Sequence, residues 1–390
     1  MDFAFTEEQD RFRAEVRAFC EQADPQFDDP QKSKGLKGGY SAALYRELGR
    51  RGWLGLQIPT RYGGAGRPPI FEAILAEELG RSAAPAGNYA GTVLEFGHLI
   101  LRHGSEWQRE TYLPRIASGE IRAGHMYTEP EAGSDLAAVR TTAVRDGDVY
   151  VVDGTKMFAS EVSRTDYSVL MARTWRDVPA EDGLSLFILD NRAPGVTHTR
   201  LATLGGKGTH QAYLDSVRIP ARDLIGEENC GWEYFLDIRA EYWTKNQGYF
   251  CGTMARLLEQ LVGFTRSDDG GWRAADPLIR QRIARLAMDV AALRLLTYRL
   301  ASAERPHEEL AQIATLKVLT DELILRFGNE AMAIGGPESL FAAQPGANAA
   351  GLSLENRYRE NALKHFSSLG HALARSVLAT DGLGLPSVEG

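Results

Sequence analysis

Cysteine is scarce in this chain. The three present in 390 residues, Cys20, Cys230 and Cys251, have no metal-like spacing. An odd count in a chain this long does not make a disulfide framework, so a reducing, cytoplasmic setting is the simplest expectation. Positive charge is also short: 44 Lys and Arg against 52 Asp and Glu leave a net charge of -8 and a pI near 5.6. Binders of nucleic acid or anionic membranes normally carry a basic surplus, so neither partner is expected. No run approaches the ~20 apolar residues of a membrane span. The acidic start, Met1-Asp2-Phe3-Ala4-Phe5-Thr6-Glu7-Glu8-Gln9, lacks the basic flank and apolar stretch of a signal peptide. Gly-x-Ser-x-Gly and Gly-x-Gly-x-x-Gly are both missing, which removes the main support for a serine hydrolase or a Rossmann fold. The eight histidines show no paired ligand spacing, so no metal site is expected.

What the chain does have is three stretches of different hydrophobic period. Thr6 followed by acidic residues opens a helix to about residue 22, with Phe12, Val16 and Phe19 on its apolar face. Helical spacing returns over 42–51, 70–79, 88–103 and 106–118. From Ala123 the pattern shifts to a period of two or to short apolar runs, at 149–152, 168–172, 184–189 and 212–214, separated by Gly- and Asp-containing turns. Beyond Gly231 come four long helical patterns over 232–266, 277–304, 308–334 and 352–377. The expected class is therefore α+β: an N-terminal helical domain over 1–120, a middle antiparallel β domain over 121–230 and a C-terminal four-helix bundle over 231–390.

The segment Thr128-Glu129-Pro130-Glu131-Ala132-Gly133-Ser134-Asp135 lies where helices give way to strands. Pro130 stops regular structure, Gly133 lets backbone approach a ligand, and Thr128 and Ser134 offer hydroxyls. Locally such residues also make an ordinary turn. Gly205-Gly206-Lys207-Gly208-Thr209-His210 fails the Walker spacing and reads as a hairpin turn. Lys32, Lys34 and Lys37 read as a solvated basic loop.

The octapeptide resembles the flavin-contacting signature of the acyl-CoA dehydrogenase family, and other segments follow in family order. Gly154-Thr155-Lys156-Met157-Phe158-Ala159-Ser160 resembles the second flavin segment, with Phe158 for the usual Trp and Ser160 for the usual Thr. Arg266 resembles an arginine that reaches a neighbouring subunit's flavin pyrophosphate, and Gly335-Gly336 resembles the glycine pair beside the adenine end. The resemblance implies FAD held by Met126, Thr128, Gly133, Ser134, Phe158, Ser160, Arg266, Gly335 and Gly336, with Ser134 also touching substrate. It implies α,β-dehydrogenation of an acyl-CoA thioester, in which a carboxylate takes the α-proton and the β-hydrogen leaves as hydride. It also implies an oligomer, and by analogy an electron-transfer flavoprotein as acceptor.

The base is where the chain departs from the family pattern. Of the two family positions for the glutamate, the C-terminal one corresponds to Phe366-Ser367-Ser368-Leu369-Gly370-His371-Ala372-Leu373-Ala374-Arg375, which has no carboxylate. At the other, ungapped counting from Gly231 places Tyr242, and Glu241 fits only with a one-residue shift, about 100° around a helix. Glu241 is the best candidate in the sequence. Two readings stay open: a self-sufficient enzyme using Glu241 in a homo-oligomer, or a catalytically incomplete chain. The second would pair with another acyl-CoA dehydrogenase-like chain in a heterotetramer, resembling the steroid-type branch. A flavin monooxygenase on the same fold is a weaker third.

Overall fold

The computed structural model describes residues 4–27, 41–84, 86–204, 208–266, 271–303, 309–337, 358, 359, 361 and 370–386. Five α-helices precede the strands: α1 (Glu7–Phe27), α2 (Ala42–Arg50), α3 (Ile70–Arg81), α4 (His98–His103) and α5 (Glu106–Ala117). Their starts have chemical causes. The Ser41 side chain accepts from the Leu44 N–H at the head of α2, and Ser105 with Gln108 closes a capping box on α5. The single helix expected over 88–103 is instead a π-helix, Ala90–Gly97, running into α4. It is stitched to the first strand by Thr92, whose hydroxyl donates to Ala123 O (3.1 Å) and accepts from Ala123 N–H (2.9 Å).

Eight strands follow: β1 (Ala123–Met126), β2 (Thr142–Asp146), β3 (Val149–Ser160), β4 (Tyr167–Arg173), β5 (Leu184–Asp190), β6 (Val196–Leu201), β7 (Thr209–Pro220) and β8 (Leu224–Ile225). They form one sheet in the order β6-β7-β3-β2-β4-β5-β8, with β1 against β4. The sheet is mostly antiparallel, but β1 and β4 run parallel over Ala123–Met126 and β2 meets β4 in parallel at Thr142 and Arg173. The parallel pair is possible because the β2–β3 hairpin intervenes as a long crossover. Along β4, Val169 and Met171 join the core shared with the helices, while Leu170 and Ala172 join the core inside the sheet. Burial on both faces explains why this strand reads as an apolar run rather than an alternation. The turn expected around Gly205 connects β6 to β7, although residues 205–207 lie outside the described residues.

The C-terminal part contains α6 (Gly231–Arg266), α7 (Gly271–Ala275), α8 (Pro277–Ala301), α9 (Leu310–Gly335) and, near the end, α10 (His371–Val377). Asp276 caps α8 through the N–H groups of Leu278 and Ile279, with Pro277 at its first position. Most of the fourth segment expected over 352–377 lies outside the described residues, as do Lys32, Lys34 and Lys37. At 36 residues, α6 is about 54 Å long and crosses the molecule. One end packs on α8 and α9 around Met254, Leu257, Leu286, Leu293 and Leu323. Its middle lies directly on α3. A Cβ on Gly252 would stand 1.9 Å from Glu77 O, and one on Gly80 would stand 2.1 Å from Tyr249 O, so only glycines allow this backbone contact. Among the described residues, no helix is long and apolar enough to cross a membrane.

Candidate functional site

The loop after β1 is braced from beneath. The buried Glu129 carboxylate accepts from the N–H groups of Arg140 (2.7 Å) and Thr141 (2.9 Å) and from Lys156 Nζ (2.8 Å). Lys156 Nζ also donates to Tyr127 O at 3.0 Å, and Met157 N–H donates to Thr128 O at 2.7 Å. The two segments singled out in the sequence are thus one unit, locked by an ion pair that their composition did not announce. Burial pushes the Lys156 ammonium down to about 8, with Glu129 pulling the other way.

What the brace holds up faces outward. A register irregularity between Lys156 and Ala159 turns Phe158 out of the strand, with φ at 58° and the residue 55% exposed. Bulges re-aim side chains in this way, and a non-glycine residue in the left-handed region stores strain. Ser160, Gly133 and Ser134 are exposed and Thr128 is half-buried. Met126 turns its side chain into the sheet core, leaving its backbone toward the loop. Gly370, at the head of α10, lies close by: a Cβ there would be 3.7 Å from Ser134 Oγ. Residues 366–369 lie outside the described residues.

Arg266, exposed, is the last residue of α6, while Gly335 and Gly336 close α9. The buried Arg273 of α7 donates to Ile334 O (2.8 Å) and Gly335 O (3.1 Å) at the end of α9 and lies over the Phe264 ring of α6 at 5.1 Å.

Glu241 sits elsewhere on α6, in a cage of cations. Its carboxylate meets Lys245 Nζ, Arg102 Nη1 at 3.1 Å and His98 Nδ1 at 3.4 Å. The cage continues inward: Lys245 Nζ lies 3.4 Å from Glu72 and 3.2 Å from His98 Nδ1, and His98 Nε2 lies 3.2 Å from Glu72. Burial favours the neutral form of Glu241, but His98 and Lys245 outweigh it and hold the carboxyl well below its usual range. Burial likewise works against a proton on His98, yet Glu72 and Glu241 raise its affinity. This network ties α3, α4 and α6 together.

One residue on, the helix faces the signature loop. Tyr242 is buried, and Arg239, one turn earlier, spreads its guanidinium over Tyr127 (5.3 Å), Phe235 (5.2 Å) and Tyr242 (5.0 Å). Tyr127 directly precedes Thr128. Tyr242 thus shares the Arg239 guanidinium with Tyr127, while the Glu241 carboxylate meets His98 and Arg102 of α4. A second buried carboxylate, Glu95 of the π-helix, lies 3.3 Å from Arg239 Nη2 and 2.8 Å from His125 Nδ1. The sequence carried a hint of it, a lone acid in the apolar run Val93-Leu94-Glu95-Phe96-Gly97.

Family models describing the acyl-CoA dehydrogenase N-terminal, middle and C-terminal domains match residues 6–120, 124–217 and 246–366. The chain belongs to the acyl-CoA dehydrogenase family. It is 31% identical over 390 residues to acyl-CoA dehydrogenase FadE29 of Mycobacterium tuberculosis, covering 98% of each chain. FadE26 of the same organism is 31% identical over 405 residues, covering 99% of each. Among solved structures, the Tcur3481-Tcur3483 steroid ACAD superposes with a TM-score of 0.87 at 31% identity, covering 99% of this chain and 100% of that one. The ChsE4-ChsE5 complex from Mycobacterium tuberculosis does so at 0.86 and 28%, with the same coverage. The family is made of FAD-dependent oxidoreductases acting on CH–CH bonds. The braced loops fit such a group. An exposed, strained aromatic at Phe158 stands beside exposed hydroxyls at Ser134 and Ser160, a surface that a flat, polar-edged ring would cover.

Proposed function

We propose that this chain is the base-deficient subunit of a two-chain, FAD-dependent acyl-CoA dehydrogenase. The observation that carries the reading is the cage around Glu241. A carboxylate held by Lys245, Arg102 and His98 has little affinity for a proton, and its contacts tie it to α4. Tyr242, which ungapped counting sets at the family's glutamate position, has no carboxylate to replace it. In this reading Phe158 forms an aromatic wall for the flavin, and Thr128, Ser160 and the backbone around Met126 and Gly133 meet its polar edge. Ser134 is shared with the thioester. Arg266 reaches the diphosphate of a flavin in a neighbouring subunit, and Gly335 and Gly336 lie beside the adenine end. Bound there, FAD supplies the hydride acceptor. The α-proton is taken by a carboxylate of the second chain, and electrons pass to an electron-transfer flavoprotein. The two similar structures named for pairs of proteins support this assembly.

The test is co-expression with an adjacent dehydrogenase-like gene product, followed by anaerobic acyl-CoA titration read from the flavin absorbance. The complex bleaches and the lone chain does not. Removing a true base lowers the rate at least ~10²-fold, whereas Glu241→Gln in the complex leaves it within about threefold of the parent. Loss of bleaching in that variant, with flavin content unchanged, would restore Glu241 as the base and the self-sufficient homo-oligomer with it.

A further inference from the structure

One face of α8 fills the bundle core with Leu286, Val290 and Leu293. The opposite face stands in solvent. It carries Arg285, Met288, Ala292, Leu295 and Arg299, all exposed, with Met288 at 71% and Leu295 at 43%. Their spacing alternates three and four residues, the interval at which one side of a helix packs along a second helix. Apolar side chains occupy the middle of this seam, and an arginine stands at each end. The charge of α8 runs against that of the chain: five arginines and one acid, Asp289, in a protein of net charge -8. Within the fold, Arg282 pairs with Glu330, Arg294 with Glu77 and Asp289 with Arg326. Among the described residues, Arg285 and Arg299 have no ion-pair partner.

We infer that this seam docks the second chain of the assembly, through a helix whose apolar middle is flanked by carboxylates; the inference rests on the two-chain reading above. Charge makes a second copy of this chain the wrong partner. Arg285 and Arg299 lie seven residues to either side of Ala292, so a copy related by a twofold axis at Ala292 sets an Arg299 opposite each Arg285. A copy running parallel sets each arginine against itself. Like charges facing each other across a helix pair reject a partner, just as opposite charges select one. Carboxylates at those two places neutralise both guanidiniums while the apolar middle covers Met288 and Leu295. From Arg285 to Arg299 the seam runs about 21 Å, one strip of a larger contact.

The test mixes the full-length chain with the second chain and reads their affinity by analytical ultracentrifugation. Arg299→Glu weakens that complex about tenfold. The same variant, alone, self-associates about tenfold more tightly than the parent, because each Arg285 then faces a glutamate of the other copy. Met288→Glu, which keeps both arginines, weakens the complex without promoting self-association. An Arg299→Glu chain that melts with the parent and binds the second chain within about twofold of it overturns the docking and leaves the two-chain reading standing. A parent chain that pairs with itself as tightly as with the second chain overturns it too. Binding to phosphatidylserine vesicles that Arg299→Glu abolishes, with the complex untouched, would give the seam to a membrane instead. Two chains that never associate overturn the docking and the two-chain reading together.

Discussion

Replacing Lys156 by Met tests whether the brace beneath the two loops is what holds them in place. The ammonium makes two hydrogen bonds, to Glu129 and to Tyr127 O, and is fully buried. Methionine fills most of the stem volume, so the loss is chiefly electrostatic: Glu129 keeps two backbone donors but loses its countercharge. Breaking a buried pair from one side costs about 3–5 kcal/mol, and the surviving donors place this site near ~3 kcal/mol. An unfolding entropy of about 2.1 cal/mol/K per residue gives roughly 0.8 kcal/mol/K for 390 residues, so Tm falls by about 4 °C. Differential scanning calorimetry reads the shift. Combining Lys156→Met with Glu129→Gln relieves the unpaired charge, so the double variant is more stable than the summed single effects by ~1 kcal/mol or more. Flavin affinity falls in Lys156→Met, since both loops lose their common anchor. A single variant melting within a degree of the parent, or a strictly additive cycle, would refute the idea that this pair braces the site.

Phe158→Gly relieves a left-handed backbone position and removes an exposed ring, so the cofactor-free protein gains up to ~1 kcal/mol while FAD binding weakens; thermal melts and flavin fluorescence titration separate the two, and a destabilised cofactor-free protein would count against the strain argument. Glu95 favours its neutral form through burial, but Arg239 and His125 depress it to about 2, so its stabilising contribution is complete above pH ~4.5 and drains away as pH falls toward 2. Melting temperatures taken downward from pH 6 therefore drop more steeply for the parent than for Glu95→Gln; parallel curves would contradict that assignment.

The order of helices, strands and helices was legible because each stretch repeats one hydrophobic period many times over. The π-helix was not, since the apolar pattern of Ala90–Gly97 suits an α-helix equally well and the deciding contact, Thr92 with Ala123, comes from another element. Counting along α6 exposed the offset at Glu241, because a helix converts one residue into a fixed rotation. The cage could not be read in the same way. Lys245 lies on the same helix four residues on, but His98, Arg102 and Glu72 arrive from α3 and α4, and only folding makes them neighbours. In the sequence Glu129 is one residue of a turn, whereas in the fold its carboxylate organises that turn from within.

The glycine contact between α3 and α6 has a consequence for how the protein is made. Every residue from Phe71 to Gly80 is buried, yet the partner that covers much of this helix begins after the whole β domain. Thr253 reaches back 173 residues to bond Gly80 O. At ~5–20 residues per second, α3 waits roughly 9 to 35 s on the ribosome before that segment exists. During that interval α1 and α4 cover part of α3, through Phe12 on Phe71 and His98 on Glu72, but the face that meets α6 at Glu77 and Gly80 stays open. A fragment ending near residue 120 therefore leaves bare the one side of α3 on which the close helix contact is made.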